Sequence, residues 1–181
     1  MGTAGQAGFP RVNQLQYWVD QGLLAGAPEL ELDGQGVATN VERLPRWNVP
    51  GDGGDTANSP ADIEHRLRAY LEVNCQHCHN DKGAASNTGY YLDTFRAVDA
   101  GYGICKKPTA TGGGSCGRQH VVVPGSSDDS IVSCRMEAED DPQRMMPPIA
   151  RSVAHDGATA LMRQWINTVV DGDYDNADGC N

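Results

Sequence analysis

Ser59-Pro60-Ala61-Asp62-Ile63-Glu64-His65-Arg66-Leu67-Arg68-Ala69-Tyr70-Leu71-Glu72-Val73-Asn74-Cys75-Gln76-His77-Cys78-His79 is the stretch on which the fold turns. Ser59 suits an N-cap and Pro60 the first helical position, where a missing N–H costs nothing. Asp62 stands where a carboxylate caps back onto the chain and faces the positive end of the helix. Ile63, Leu67, Tyr70 and Leu71 then fall on one helical face. The pattern predicts a helix from Ser59 to Asn74 that delivers Cys75, Cys78 and His79 at its end.

That spacing of two cysteines and a histidine is the one read as c-type haem attachment. Two thiols three residues apart at a helix end can each add to a haem vinyl group, and the adjacent His79 is then aimed at the iron as proximal ligand. A structural zinc site would need Cys75, Cys78 and two further ligands, normally a second tight pair, and the sequence has none. A thioredoxin-like redox pair needs a βαβ setting, which is not visible either. Haem also resolves a compositional problem. Only 31 of 181 residues are Leu, Ile, Val or Phe, about 17% where ordinary globular domains exceed roughly 20%. A buried macrocycle adds apolar area worth about 25 cal/mol for each Å² removed from water.

An electron-carrying haem iron takes a sixth ligand, and Met raises its potential relative to a second His. The candidates are Met136, Met145, Met146 and Met162, with His65, His77, His120 and His155. Met162 lies in the apolar stripe of a helix and Met136 at the end of another, so both read as packing. Met145-Met146-Pro147-Pro148 has no periodicity, and its two prolines stiffen the backbone enough to hold a thioether in place. Met146, next to the prolines, is the preferred ligand over Met145. A loop methionine that packs on the ring without bonding the iron is the competing reading.

Elsewhere the chain reads as helices and connecting loops. A short amphipathic helix is expected in Asn13 to Ala25, and an extended strap follows through Gly26 to Ser59, pinned by Leu44 and Trp47 and ending in the Gly51 to Asp55 hinge. Residues 1–58 are thus an appendage and 59–181 the main domain. A third helix is expected from Ser127 to Glu137. A fourth carries the stripe Leu161, Met162, Trp165, Ile166 and Val169 between Asp156-Gly157 and Asp171-Gly172. No alternating run is long enough for a sheet, so the class is all-α. No uncharged apolar run approaches the roughly 18 residues of a membrane helix. Met1 to Pro10 lacks the basic and apolar regions of a secretory signal, which leaves a cytoplasmic protein or a processed fragment. The net charge of −10 argues against nucleic acid and anionic membranes as partners.

Four blocks together resemble a family. Tyr70-Leu71-Glu72-Val73-Asn74-Cys75-Gln76-His77-Cys78-His79 is followed by Val123-Pro124-Gly125 with Ser130-Ile131-Val132. Arg144-Met145-Met146-Pro147-Pro148-Ile149 and Leu161-Met162-Arg163-Gln164-Trp165-Ile166 come next. Over Ser59 to Val170 the chain is similar to bacterial exported c-type cytochrome domains, in a branch of largely uncharacterised one- or two-haem members. The resemblance implies a cytochrome c-like fold with loops wrapped around one covalent haem c, His79 as proximal ligand and Met146 as distal ligand. It also implies the periplasm or the cell exterior, with redox proteins as electron donor and acceptor and a place in a larger multidomain protein. Tyr70, Trp165 and Ile166 are then expected against the ring, and Arg135, Arg144 or Arg151 near its propionates.

Haem attachment leaves Cys105, Cys116, Cys134 and Cys180, an even number in a compartment where disulfides persist. Pro108 and Gly112-Gly113-Gly114 would let the chain turn back, so the expected pairs are Cys105 with Cys116 and Cys134 with Cys180; free thiols are the alternative. The tail Asp171 to Asp178 has oxygen ligands at alternate positions, as calcium loops do, but lacks the glycine and closing glutamate of an EF-hand. An acidic solvated terminus is the preferred reading there. The expected function is an electron-transfer module without catalysis. The alternative is a haem enzyme or sensor for peroxide or a diatomic gas, with an open or displaceable distal position for which His120 or His155 would serve.

Overall fold

The structure, a computed structural model, describes residues 13–109, 112–149, 151–170 and 180. The Met1–Pro10 segment and the acidic tail 171–178 lie outside the described residues. The helices are α1 (Gln14–Asp20), α2 (Pro60–Asn74), α3 (Ile131–Glu137) and α4 (Asp156–Thr168), with single 3₁₀ turns at Ser86–Thr88, Ala100–Tyr102 and Gly112–Ser115. Among the described residues there is no strand, only four isolated bridges. The class is all-α. No helix there is long and apolar enough to cross a membrane.

The chain divides into two compact units, Met1–Arg43 and Leu44–Asn181. In the first, Asn13 Oδ1 accepts from the N–H groups of Leu15 and Gln16 and starts α1. The helix stops at Asp20, short of the expected Ala25, because Leu23 and Leu24 both donate back to the Trp18 carbonyl and Gly22 turns at φ 66°. The strap is not extended beyond it. Leu32 and Ala38 bridge across a turn in which Asp33 Oδ1 accepts from Gln35 and Val37. Residues 44–58, the later part of the expected strap, belong to the second unit.

In that unit the start signal works as the sequence predicts, with Ser59 Oγ accepting from the Asp62 N–H. Asp62 is 1% exposed and binds the hinge. It accepts from Gly51 N and Asn58 N at 2.8 Å each and from Arg66 Nε at 3.0 Å. Arg66 spends its other nitrogens on the Trp47 carbonyl and Asn58 Oδ1. Trp47 does pin the chain: its ring lies edge-on to Tyr70 and His155, and a Cβ on Gly157 would come within 2.7 Å of it. A glycine is therefore required where α4 begins.

Ile63, Leu67 and Leu71 of α2 share one buried cluster with Leu161, Met162, Trp165 and Ile166 of α4. α2 packs on α4, and α3 packs on α4. Met162 is fully buried core, as its stripe position implies. Trp165 and Ile166 are also core. Trp165 sits edge-on to buried Tyr102 at 6.1 Å and donates to Glu64.

Two expectations need correction. α3 begins at Ile131, not Ser127, because side chains divert the preceding turn from helical bonding. Ser130 Oγ accepts from Val123 N and donates to Ser126 O, while Ser127 N donates to Asn167 Oδ1. The disulfides pair Cys105 with Cys180 and Cys116 with Cys134. Cys105 is drawn to Val122 instead of Cys116: its N–H donates to Val122 O and Ile104 bridges Val122. Cys180 lies against the same Val122 carbonyl. The Gly112–Ser115 turn packs on α3 instead, with Gly114 close against Arg135, which carries Cys116 to Cys134.

Candidate functional site

α2 ends where Cys75 N–H and Gln76 N–H both donate to Leu71 O, and the chain then rolls into a tight turn. Cys78 N and His79 N both donate to Cys75 O, at 3.1 and 3.0 Å, while Cys78 O accepts from Ala85 N. Asn80 Nδ2 adds a bond to Gln76 O. Gly83 packs so closely under this turn that a Cβ there would run into the Cys78 carbonyl. Sequence reasoning passed over Gly83, whose only signal is its position in Asp81-Lys82-Gly83 just past the motif.

His79 is 7% exposed and is fixed from both sides. Its Nδ1 lies 3.1 Å from Tyr90 O, its backbone oxygen accepts from Leu92 N, and the Tyr90 ring stands edge-on at 5.2 Å. A carbonyl can only accept, so Nδ1 carries the proton and Nε2 is left with its lone pair. Burial holds the imidazole below its ordinary pKa, against the opposing pull of the Tyr90 carbonyl. Burial keeps the ring neutral and the Tyr90 carbonyl orients it, the state in which histidine ligates a metal. Nothing in the sequence marks Tyr90 as this partner. Burial, and then the neighbouring Cys78, push the Cys75 thiol up to about 11. At neutral pH it is a thiol.

Three cavities surround this turn, of about 230, 190 and 60 Å³. His79 and Met146 line all three, and Cys75 lines the two larger. The largest is walled by Leu71, Leu92, Val132 and Met136 together with Tyr70, Arg151 and His155. Cys78 and His77 face the second beside Pro147 and Pro148. Arg135 reaches the smallest. The expected residues Cys75, Cys78, His79 and Met146 are therefore brought to one place. Tyr70 joins them as anticipated, but Trp165 and Ile166 line none of these cavities.

Met145 and Met146 separate clearly. Met145 is 8% exposed and lines none of these three cavities, while Met146 lines all three. Met146 N donates to Arg135 O at 2.9 Å, and Arg135 Nε returns a bond to Arg144 O. Arg144 itself faces Asp140 and Asp141 in ion pairs and stays off the cavities. Arg151 donates from both Nη atoms to the carbonyls of Met136 and Ala138, and its Nε is buried with no partner. Of the candidate histidines, His65 pairs with Asp55 at the surface and His120 lies buried beside Ser130. His155 meets the Tyr70 hydroxyl at 3.1 Å on the rim of the largest cavity.

Among the described residues no group of three or more His, Cys, Asp or Glu converges as an ion site. Compared with family models, curated proteins and solved structures, the chain finds no match.

Proposed function

We propose that this chain is a monohaem c-type cytochrome that passes single electrons between exported redox proteins through a His79/Met146-ligated haem. One observation carries the reading. His79 and Met146 are the two side chains common to all three cavities, and Cys75 lines two of these and Cys78 one.

The residues present fit the group. An imidazole with Nδ1 engaged and Nε2 available and a thioether are the donor pair of a low-spin c-type iron. Arg151 lines the cavity of about 230 Å³ and its buried Nε has no partner among the described residues, so the guanidinium has a charged donor to spare for a carboxylate, and haem carries two. The remaining wall of Leu, Val, Met and Tyr side chains suits an apolar macrocycle. Cytochrome c-like architecture is part of the same proposal, with α2 and α4 forming the scaffold behind the proximal turn.

When bound, the haem iron supplies reversible one-electron exchange. The protein's share is attachment, orientation and exclusion of water. Cys75 and Cys78 would hold the group covalently, each S–H adding across one vinyl C=C to give a thioether with no net change in electron count. Tyr90 O holds the His79 ring by Nδ1 and leaves Nε2 available, and Met146 would supply the second donor. A sixth position filled by protein leaves no site for substrate, which is why the proposal is a carrier and not an enzyme. Two disulfides in so short a chain agree with an oxidising compartment, the periplasm or beyond.

The test is the optical spectrum of protein matured with haem, as parent, Met146→Ala and Met145→Ala. The parent is expected to show covalent low-spin haem with the weak long-wavelength Met-to-iron(III) band, lost only in Met146→Ala. A high-spin parent that binds carbon monoxide would replace the carrier with the open-site enzyme or sensor.

A further inference from the structure

Resting on the haem reading above, we propose that Arg151 is the positioning residue for the distal ligand: by capping the end of α3 while contacting a haem propionate, it makes closure of the Met146 loop depend on the bound group.

The last carbonyls of any α-helix lack intrahelical donors. In α3 the orphans are served by one neighbouring segment. Arg135 O accepts from Met146 N, and Met136 O and Ala138 O accept from the two Nη atoms of Arg151. The Met146 loop is thus fastened to a single helix end at two points, one main-chain and one side-chain. A cation at a helix C-terminus is also favoured by the dipole.

The third face of the guanidinium is the informative one. Arg151 Nε is buried without a partner, and Arg151, Met146 and His79 line the same cavity. A buried, unsatisfied donor on a charged group is costly, and a carboxylate in that cavity removes the penalty with a charge-assisted bond. A guanidinium spreads its donors over three nitrogens in a planar fork, so two helix carbonyls and a carboxylate can be met in separate directions; an ammonium offers three donors from a single nitrogen. Arg151 therefore ties the periphery of the group to the loop that supplies its axial ligand.

The experiment compares haem-matured parent, Arg151→Ala and Arg151→Lys by the Met-to-iron(III) band, by imidazole titration of the oxidised protein and by thermal melting. Arg151→Ala is expected to weaken the band and tighten imidazole binding at least tenfold, because imidazole then displaces a loosened Met146. Arg151→Lys should fall between, and it supplies the reading if the alanine variant fails to fold. A variant that melts lower while keeping the parent's band and imidazole affinity would make Arg151 merely structural and overturn the proposal. A lysine variant equal to the parent in both would overturn the fork. A parent without the band would instead bring down the His79/Met146 ligation read above, and this proposal with it.

Discussion

His79 is oriented by the helix that it follows and by loop carbonyls soon after it, through Cys75 O and Tyr90 O. Met146 is oriented by a helix to which it does not belong, through Arg135 O and the Arg151 cap on α3. On the proposed haem reading the His79 wall is the proximal one and the Met146 wall the distal one, and the proximal wall is a property of a local motif on a long, well-started helix that packs on α4. The distal wall is borrowed from α3, seven residues long, which owes its place to the Cys116–Cys134 bridge, to packing on α4 and to Arg163 pairing with Asp128 and Glu137. Local opening free energies differ across a fold, and segments with few buried contacts open first. The proximal side should outlast the distal one.

The severest way to break that contrast is to remove the scaffold common to both. Trp165, 1% exposed and sandwiched between Tyr102 and the α2 side chains of the core, is the largest residue buried this fully. Trp165→Ala is expected to cost about 3–5 kcal/mol by transfer and cavity terms. In denaturant titrations, far-ultraviolet dichroism and the Met-to-iron(III) band should then fall together. A band lost well before the dichroism would mean that α4 supports the distal wall alone.

A smaller lesion should separate the walls. Replacing Cys116 and Cys134 together by alanine opens a bridge that spans 18 residues, worth about 3 kcal/mol in the chain-entropy account. The band is expected to disappear on heating several degrees below the loss of helix dichroism, while the covalent haem and His79 ligation persist. Coincident transitions would show the walls to be one cooperative unit.

The same contrast decides what could be seen in the sequence. Ser59, Pro60, Asp62 and the apolar face from Ile63 to Leu71 act within a few residues of one another, so α2 and the turn after it were legible. So were the stripe of α4, Met162 as core, and Met146 in place of Met145 as the residue facing the site. The disulfides were not. Loop-closure entropy grows so slowly with length that the shorter loop has little advantage, and the pairing was set by Val122, which holds both Cys105 N–H and the neighbourhood of Cys180. The start of α3 was hidden for a related reason: Ser130 bonds to Val123 and Ser126, and Ser127 to Asn167, partners that helical periodicity does not report. Tyr90 and Gly83 act through main-chain oxygen and missing bulk, neither of which spacing reveals.

The smallest expected signal sharpens the comparison from the proximal side alone, since the buried carboxylate that braces α2 has no counterpart in the distal loop. Burial of Asp62 by itself would raise its pKa, yet the N–H groups of Gly51 and Asn58 and the Arg66 guanidinium outweigh this and hold it below the ordinary value. A carboxylate with a lowered folded pKa contributes stability that is fully present above its unfolded pKa of about 3.9. That contribution is lost as pH falls through the lower folded value. Wild type should therefore lose stability below about pH 4 more steeply than Asp62→Asn, which starts from a lower plateau because Arg66 is left buried without its counter-charge. Denaturant midpoints measured from pH 6 to pH 3 give both slopes. Parallel slopes would mean that Asp62 braces the hinge by hydrogen bonds that survive protonation.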